Sequence, residues 1–151
     1  MRIRKMTLDD LDEVTAIEEA NFTNPWTRDG FESQIKAGNT TYLVCEHEGR
    51  LVGLCGYIKS FTEADVTNVS VLKECRGHGI GTALMEALLL EGERDGVKDF
   101  TLEVRVSNDD AIHVYEKLGF KSAGIRPGFY ENPKEDAMIM WLMGDERKVN
   151  K

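Results

Sequence analysis

Apolar residues along this chain recur with two periods. Arg2–Met6 alternates and reads as a first strand. Thr7 then takes the place of a helix N-cap, with Asp9 and Asp10 favourable in the first turn. Leu8, Leu11, Val14 and Ile17–Ala20 carry helical spacing to about Ala20. Pro25 biases Asn24 away from helix, so residues 21–26 are expected to be a loop. Thr27 caps a second, short helix carrying Phe31 and Ile35, which stops near Gly38. Thr41–Glu46 and Leu51–Lys59 are β-rich and flank His47-Glu48-Gly49-Arg50, a hairpin signal. Asp65–Leu72 is a further strand. Gly79–Gly96 is the strongest helix, with Ile80, Ala83, Leu84, Ala87 and Leu88 on one face. Phe100–Val106 is an apolar strand broken by Glu103 and Arg105. Asn108 caps a helix that ends at Gly119, and Phe120–Ile125 and Ala137–Leu142 close the pattern as strands.

The expected order is β-α-α-β-β-β-α-β-α-β-β. Interleaved strands and helices, with hairpins that demand antiparallel pairs, predict an α/β (α+β) protein. Its sheet is mixed, mostly antiparallel and of about seven strands, with helices on both faces. A length of 151 residues suits one domain, expected over 1–143, with 144–151 as a solvated tail. Hydrophobic residues are 41% and charged residues 30%, which excludes disordered and fibrous classes. No apolar run is long enough to span a bilayer, and the basic start MRIRKMTLDD lacks the apolar stretch of a secretory signal. Cys45, Cys55 and Cys75 form neither a disulfide framework nor a zinc motif, so they are expected to be small apolar fillers in a reduced, cytoplasmic setting. His47 and His113 are expected on the solvated surface. The net charge of −8 disfavours a nucleic-acid groove or a polybasic membrane surface. It would suit a cationic partner, but charge alone better supports the plain acidity of many soluble proteins.

One segment carries chemistry. Arg76-Gly77-His78-Gly79-Ile80-Gly81 follows a strand and opens the long helix. Glycines permit φ > 0 and close backbone approach. The helix N-terminus offers unpaired N–H groups and a partial positive charge, a combination suited to a pyrophosphate. No Gly-Lys-Ser/Thr follows, which excludes a P-loop, and the spacing is not that of a Rossmann turn. The loop alone is equally compatible with a glycine-rich turn that binds nothing.

The segment matches Arg/Gln-x-x-Gly-x-Gly/Ala, and the chain resembles the GNAT superfamily of acyl-CoA N-acyltransferases. The likeness runs from Ile3 to about Leu142. Asn68-Val69-Ser70-Val71, Thr101-Leu102-Glu103-Val104-Arg105, Ser107-Asn108 and Tyr115-Glu116-Lys117-Leu118-Gly119-Phe120 resemble the RimI branch, the ribosomal-protein alanine N-acetyltransferases. So do Phe22-x-x-Pro25-Trp26 and Asp136-Ala137-Met138-Ile139-Met140. The resemblance implies acetyl-CoA as cosubstrate and no metal. It implies that the backbone of Val69, Ser70 and Val71 holds the acetyl and pantetheine portions. It implies that Arg76, Gly77, His78, Gly79, Ile80, Gly81 and Thr82 hold the pyrophosphate, and that Asn108 touches the coenzyme. Asn108 also fits a plain helix cap. Glu103 is implied as general base, directly or through a water; an ion pair with Arg105, on the same sheet face, is the alternative. Tyr115 is implied as the acid that protonates the departing thiolate, against the usual core tyrosine.

Glu18, Phe22, Pro25, Trp26 and Tyr130 are implied to line a peptide cleft, although Phe22 and Trp26 could instead staple the second helix to the core. The implied partner is the N-terminus of a protein, a ribosomal protein first of all, with no nucleic acid or membrane. A monomer is expected, with a homodimer left open. An α-amine, of pKa about 7.7–8.0, costs roughly 1 kcal/mol to deprotonate at pH 7, against about 4.6 for lysine. Rival readings are another amine acceptor, such as a lysine side chain, a polyamine or a drug, and an acyl-CoA-binding module without turnover. Glu103 and Tyr115 together argue against the module, since binding needs neither.

Overall fold

The structure is a computed structural model that describes residues 1–145. Of the expected tail 144–151, residues 146–151 lie outside the described residues. Seven strands and four α-helices follow in the expected order: β1 Arg2–Lys5, α1 Leu11–Asn21, α2 Arg28–Lys36, β2 Thr40–His47, β3 Arg50–Ser60, β4 Glu63–Val71, α3 Ile80–Arg94, β5 Asp99–Arg105, α4 Asp109–Lys117, β6 Lys121–Tyr130 and β7 Glu135–Leu142. The strand order is β1-β2-β3-β4-β5-β7-β6. β1–β2, β2–β3, β5–β7 and β6–β7 pair antiparallel, and β4–β5 parallel. This is the mixed, mostly antiparallel sheet that the sequence predicts. No described helix is long and apolar enough to cross a membrane.

The chain groups into two compact units, Met1–Ile58 with Thr67–Glu91, and Lys59–Val66 with the chain from Gly92 onward. In the first, α1, α2 and the β1–β3 strands enclose Met6, Leu11, Val14, Ile17, Phe31, Tyr42, Val44, Leu51 and Leu54. Tyr42 needs Gly56 opposite it on β3, because a Cβ there would come within 2.2 Å of the ring. Trp26 stacks at 5.3 Å on Phe31 and 6.2 Å from Tyr42, so its ring does staple the α2 region to this core. The sequence predicts one helix from Leu8, but Leu8–Asp10 is a separate 3₁₀ turn before α1. The Asp10 carboxylate explains it. It takes the Thr7 N–H at 2.7 Å and both Arg4 terminal nitrogens at 2.7 and 2.8 Å, which pins the first turn tight. That guanidinium also holds the Asp10 carboxyl below the usual range.

In the second unit β5 alternates cleanly. Phe100, Leu102 and Val104 are buried with Met140 and Leu142 of β7, and Thr101, Glu103 and Arg105 share the other face. β6 runs to Tyr130, beyond the expected end at Ile125. The strand runs through Pro127 because β6 is the sheet's edge, where a missing N–H costs no ladder bond. Cys45 and Cys55 are buried and Cys75 is half-buried, and burial pushes the Cys45 and Cys55 thiols up. His47 and His113 are exposed, as expected.

Candidate active site

In the first unit β4 leads through a 3₁₀ turn, Lys73–Cys75, into the glycine loop and α3. Gly77 and Gly79 lie at φ +83° and +80°, the left-handed region, with open space where a Cβ would stand. The first helical bond of α3 runs from the Ala83 N–H to the Gly79 carbonyl. The N–H groups of Ile80, Gly81 and Thr82, one residue earlier and more, are those that a helix start leaves without an intrahelical partner. His78 is exposed, Gly81 and Thr82 are half-buried, and Ile80 is buried as the helix's first core contact. Arg76 is exposed, but its guanidinium is engaged: Nε donates to the Val71 carbonyl at 3.1 Å and Nη2 to Asn21 Oδ1 at 2.9 Å. Val69 and Val71 are half-buried and Ser70 is buried, the alternation of a strand with one covered face.

The residues expected to line a peptide cleft occupy different settings. Phe22 is nearly half exposed, Pro25 and Trp26 are half-buried, and Glu18 is only 1% exposed. Glu18 accepts from Asn68 Nδ2 at 2.5 Å, and burial pushes its carboxyl up against that hydrogen bond. Asn68 Oδ1 accepts from the Thr67 hydroxyl at 2.7 Å and more weakly from Tyr42 at 3.5 Å. A buried Glu18–Asn68–Thr67–Tyr42 network thus underlies the middle of β4. Burial is also the main cause of the Tyr42 hydroxyl's rise to about 12.

The second unit carries the other candidates. Parallel pairing of β4 with β5 covers Glu63–Asp65 against Asp99–Thr101. Glu103 lies two residues beyond Thr101 on the same face. Its charged neighbour is Arg126 of β6, with Nη1 4.0 Å from Oε1. Arg105 does not pair with it. That guanidinium bonds Glu135 at 3.2 Å and the Pro133 and Glu131 carbonyls, and lies 4.4 Å over the Tyr130 ring. Glu135 in turn takes the Ser107 N–H at 2.8 Å, and the Ser107 hydroxyl first, then this N–H and Arg105, hold its carboxyl low. Tyr130 is half-buried; desolvation, then the charge of Glu103, pushes its hydroxyl up to about 12. Asp65 is a titrating neighbour of Glu103. Its carboxyl is pushed up to about 6 by partial desolvation and by Glu103, against the pull of Arg126. Tyr115 is buried, its ring 5.9 Å from Phe120. Asn108 caps α4 by accepting from the Ala111 N–H at 3.3 Å. Sequence reasoning missed Asn21, Asn68, Asp65 and Arg126; a buried polar residue on the even face of β4 was the available signal for Asn68. No group of three or more possible metal ligands exists among the described residues.

A mixed sheet with helices between its strands, whose fourth strand turns through left-handed glycines into a helix N-terminus, defines an α/β protein with a loop of the shape that suits an anion. More narrowly, the chain belongs to the acetyltransferase (GNAT) family, whose profile matches residues 11–120, and it is an N-acetyltransferase. It is 37% identical over 145 residues, 95% of this chain and 96% of the other, to a Bacillus subtilis (strain 168) protein assigned as a candidate [ribosomal protein bS18]-alanine N-acetyltransferase. The crystal structure of the ribosomal-protein-S18-alanine N-acetyltransferase from Escherichia coli is 33% identical, with a TM-score of 0.86 over 94% of this chain and 92% of that one. A candidate acetyltransferase from Salmonella typhimurium, yncA, solved with its cofactor acetyl-CoA, shares the fold at 22% identity and a TM-score of 0.81, covering 96% of this chain and 94% of that one.

Proposed function

We propose that this chain transfers the acetyl group of acetyl-CoA to the N-terminal alanine of ribosomal protein bS18, in the cytoplasm. One observation carries the reading: the chain matches proteins described as acting on that alanine at 33–37% identity over more than nine-tenths of both lengths. The glycine loop fits the cosubstrate's pyrophosphate. Its two left-handed glycines leave open space where side chains would stand, and the α3 N-terminus supplies unpaired donors and a partial positive charge.

Acetyl-CoA brings an activated thioester. The neutral amine forms the new C–N bond as the C–S bond breaks. Glu103 takes the proton the amine loses, directly or through a water, and Tyr115 returns a proton to the departing thiolate. Residues 76–82 hold the pyrophosphate, the backbone of Val69, Ser70 and Val71 the acetyl and pantetheine portions, and Asn108 the coenzyme beside its capping role. Phe22, Pro25, Trp26 and Tyr130 receive the peptide. Glu18, buried and bonded to Asn68, belongs to the same proposed cleft. An α-amine asks about 3–4 kcal/mol less of the base than lysine does near neutral pH, which favours N-terminal acceptors.

Coenzyme A release measured over a panel of acceptors tests the reading. A peptide with the N-terminus of the host's own bS18 should be turned over best. A polyamine, an aminoglycoside or an N-terminally blocked lysine peptide turned over faster would refute it.

A further inference from the structure

We propose that Asn21 is a positioning residue for acyl-CoA binding, a link by which the end of α1 holds both the end of β4 and the glycine loop. The inference rests on the reading of that loop as the cosubstrate's cradle. Asn21 is the last residue of α1 and is half-buried. Its Nδ2 donates to Ser70 Oγ at 2.5 Å and to the Val71 carbonyl at 3.0 Å. Its Oδ1 accepts from Arg76 Nη2 at 2.9 Å, and Arg76 Nε closes the ring on the same Val71 carbonyl at 3.1 Å. The end of α1 therefore meets, on one amide, the end of β4 and the start of the glycine loop some fifty residues further along the chain.

The residue type suits this work. Only a side chain with a donor and an acceptor at one end can bond Val71 and Arg76 together. Aspartate cannot donate to the carbonyl, and lysine or arginine cannot accept from the guanidinium. Ser70 is 2% exposed, so losing its donor leaves a buried hydroxyl with fewer partners. Arg76 is exposed and long. Without Asn21 its guanidinium keeps one of its two bonds, and the residue leading into the left-handed Gly77 and Gly79 is less restrained. The ordering that Asn21 supplies in advance must then come from binding itself, which weakens binding.

A loop out of place and a weakened fold leave different kinetic marks. Loss of folded protein lowers kcat and leaves the KM for acetyl-CoA unmoved. Loss of preorganisation raises that KM and the Kd for coenzyme A, with kcat and the acceptor KM held. The experiment is Asn21→Ala, with coenzyme A titrated by calorimetry and steady-state rates at varied acetyl-CoA. Affinity for coenzyme A should fall about tenfold, the size expected for losing roughly 1.4 kcal/mol of preorganisation. In an Arg76→Ala background the same substitution should cost less, because the shared link is already cut. Should Asn21→Ala fail to fold, the isosteric Asn21→Asp keeps a partner for Arg76 but not the donations, and affinity should fall in it too. Affinity within twofold of wild type in a folded variant, or a fall in kcat with acetyl-CoA KM unmoved, would overturn the inference while the cradle reading stands. Wild-type protein that binds no coenzyme A would overturn both.

Discussion

Asp65→Asn should stabilise the protein near neutral pH and do nothing in acid. Asp65 stands in β4 opposite Thr101 of β5, with Glu103 two residues further along the same face. Partial desolvation and the charge of Glu103 push its carboxyl from 3.8 to about 6. A folded-state pKa above the unfolded one means that the charged form disfavours the fold. At pH 7.5 Asp65 is ionised in both states, and the folded state bears the cost. Below about pH 4 it is protonated in both, and the cost is gone. Taken at full value the gap corresponds to about 3 kcal/mol. Asp65 is exposed to solvent, which screens most of that, so about 1 kcal/mol is expected. For a chain of this size such a gain raises Tm by about 2–4 °C. Urea unfolding at pH 7.5, 6, 5 and 4 reads the effect: the gain should be full at 7.5 and fade between about 6 and 4. In a Glu103→Gln background, where one of the two causes is removed, the gain should shrink. A gain equal at every pH, or none at 7.5, would refute the charge argument.

Glu103→Gln should lower turnover by about 10²–10⁴-fold with coenzyme A affinity nearly unchanged, and the deficit should narrow as pH rises and the amine deprotonates unaided; a rate ratio flat from pH 7 to 10 would remove proton abstraction from its role. Arg76→Ala combined with Gly79→Ala should weaken acetyl-CoA binding in calorimetry, because an alanine at φ +80° is strained by about 1 kcal/mol and Arg76 no longer ties the loop to Val71. Unchanged affinity in the folded double variant would sink the assignment of the loop.

The order of strands and helices was legible because its signals are local: two periods, helix caps and glycine stops. The glycine loop was legible as an anion site for the same reason. What escaped depends on contacts between distant segments. Glu103 and Arg105 share a strand face, so pairing them was a fair alternative. Same-face neighbours on one strand stand apart, however, while cross-strand partners come within about 4.5–5.5 Å. Arg105 meets Glu135, two residues along β7 from its register partner Ala137, and the long Arg126 side chain of β6 reaches across β7 to Glu103. Arg126 was out of view because the expected strand ended at Ile125, one residue short of it. Asn21 read as a loop residue, and its partners lie some fifty positions away. Glu18 was expected to line a peptide cleft, and its near-complete burial was not foreseen. Its burial follows from Asn68, whose amide gives a carboxylate a partner inside the first unit.

Two peptides of one sequence show whether the acceptor is a protein's N-terminal α-amine: both begin Ala-Arg-Tyr and carry one internal lysine, and one has a free N-terminus while the other is blocked. Mass spectrometry of the products after incubation with acetyl-CoA locates the acetyl group. The free peptide should be acetylated on its first residue, faster than the blocked one by roughly 100-fold, as the difference in deprotonation cost allows. Equal acetylation of both, mapped to lysine, would contradict the account.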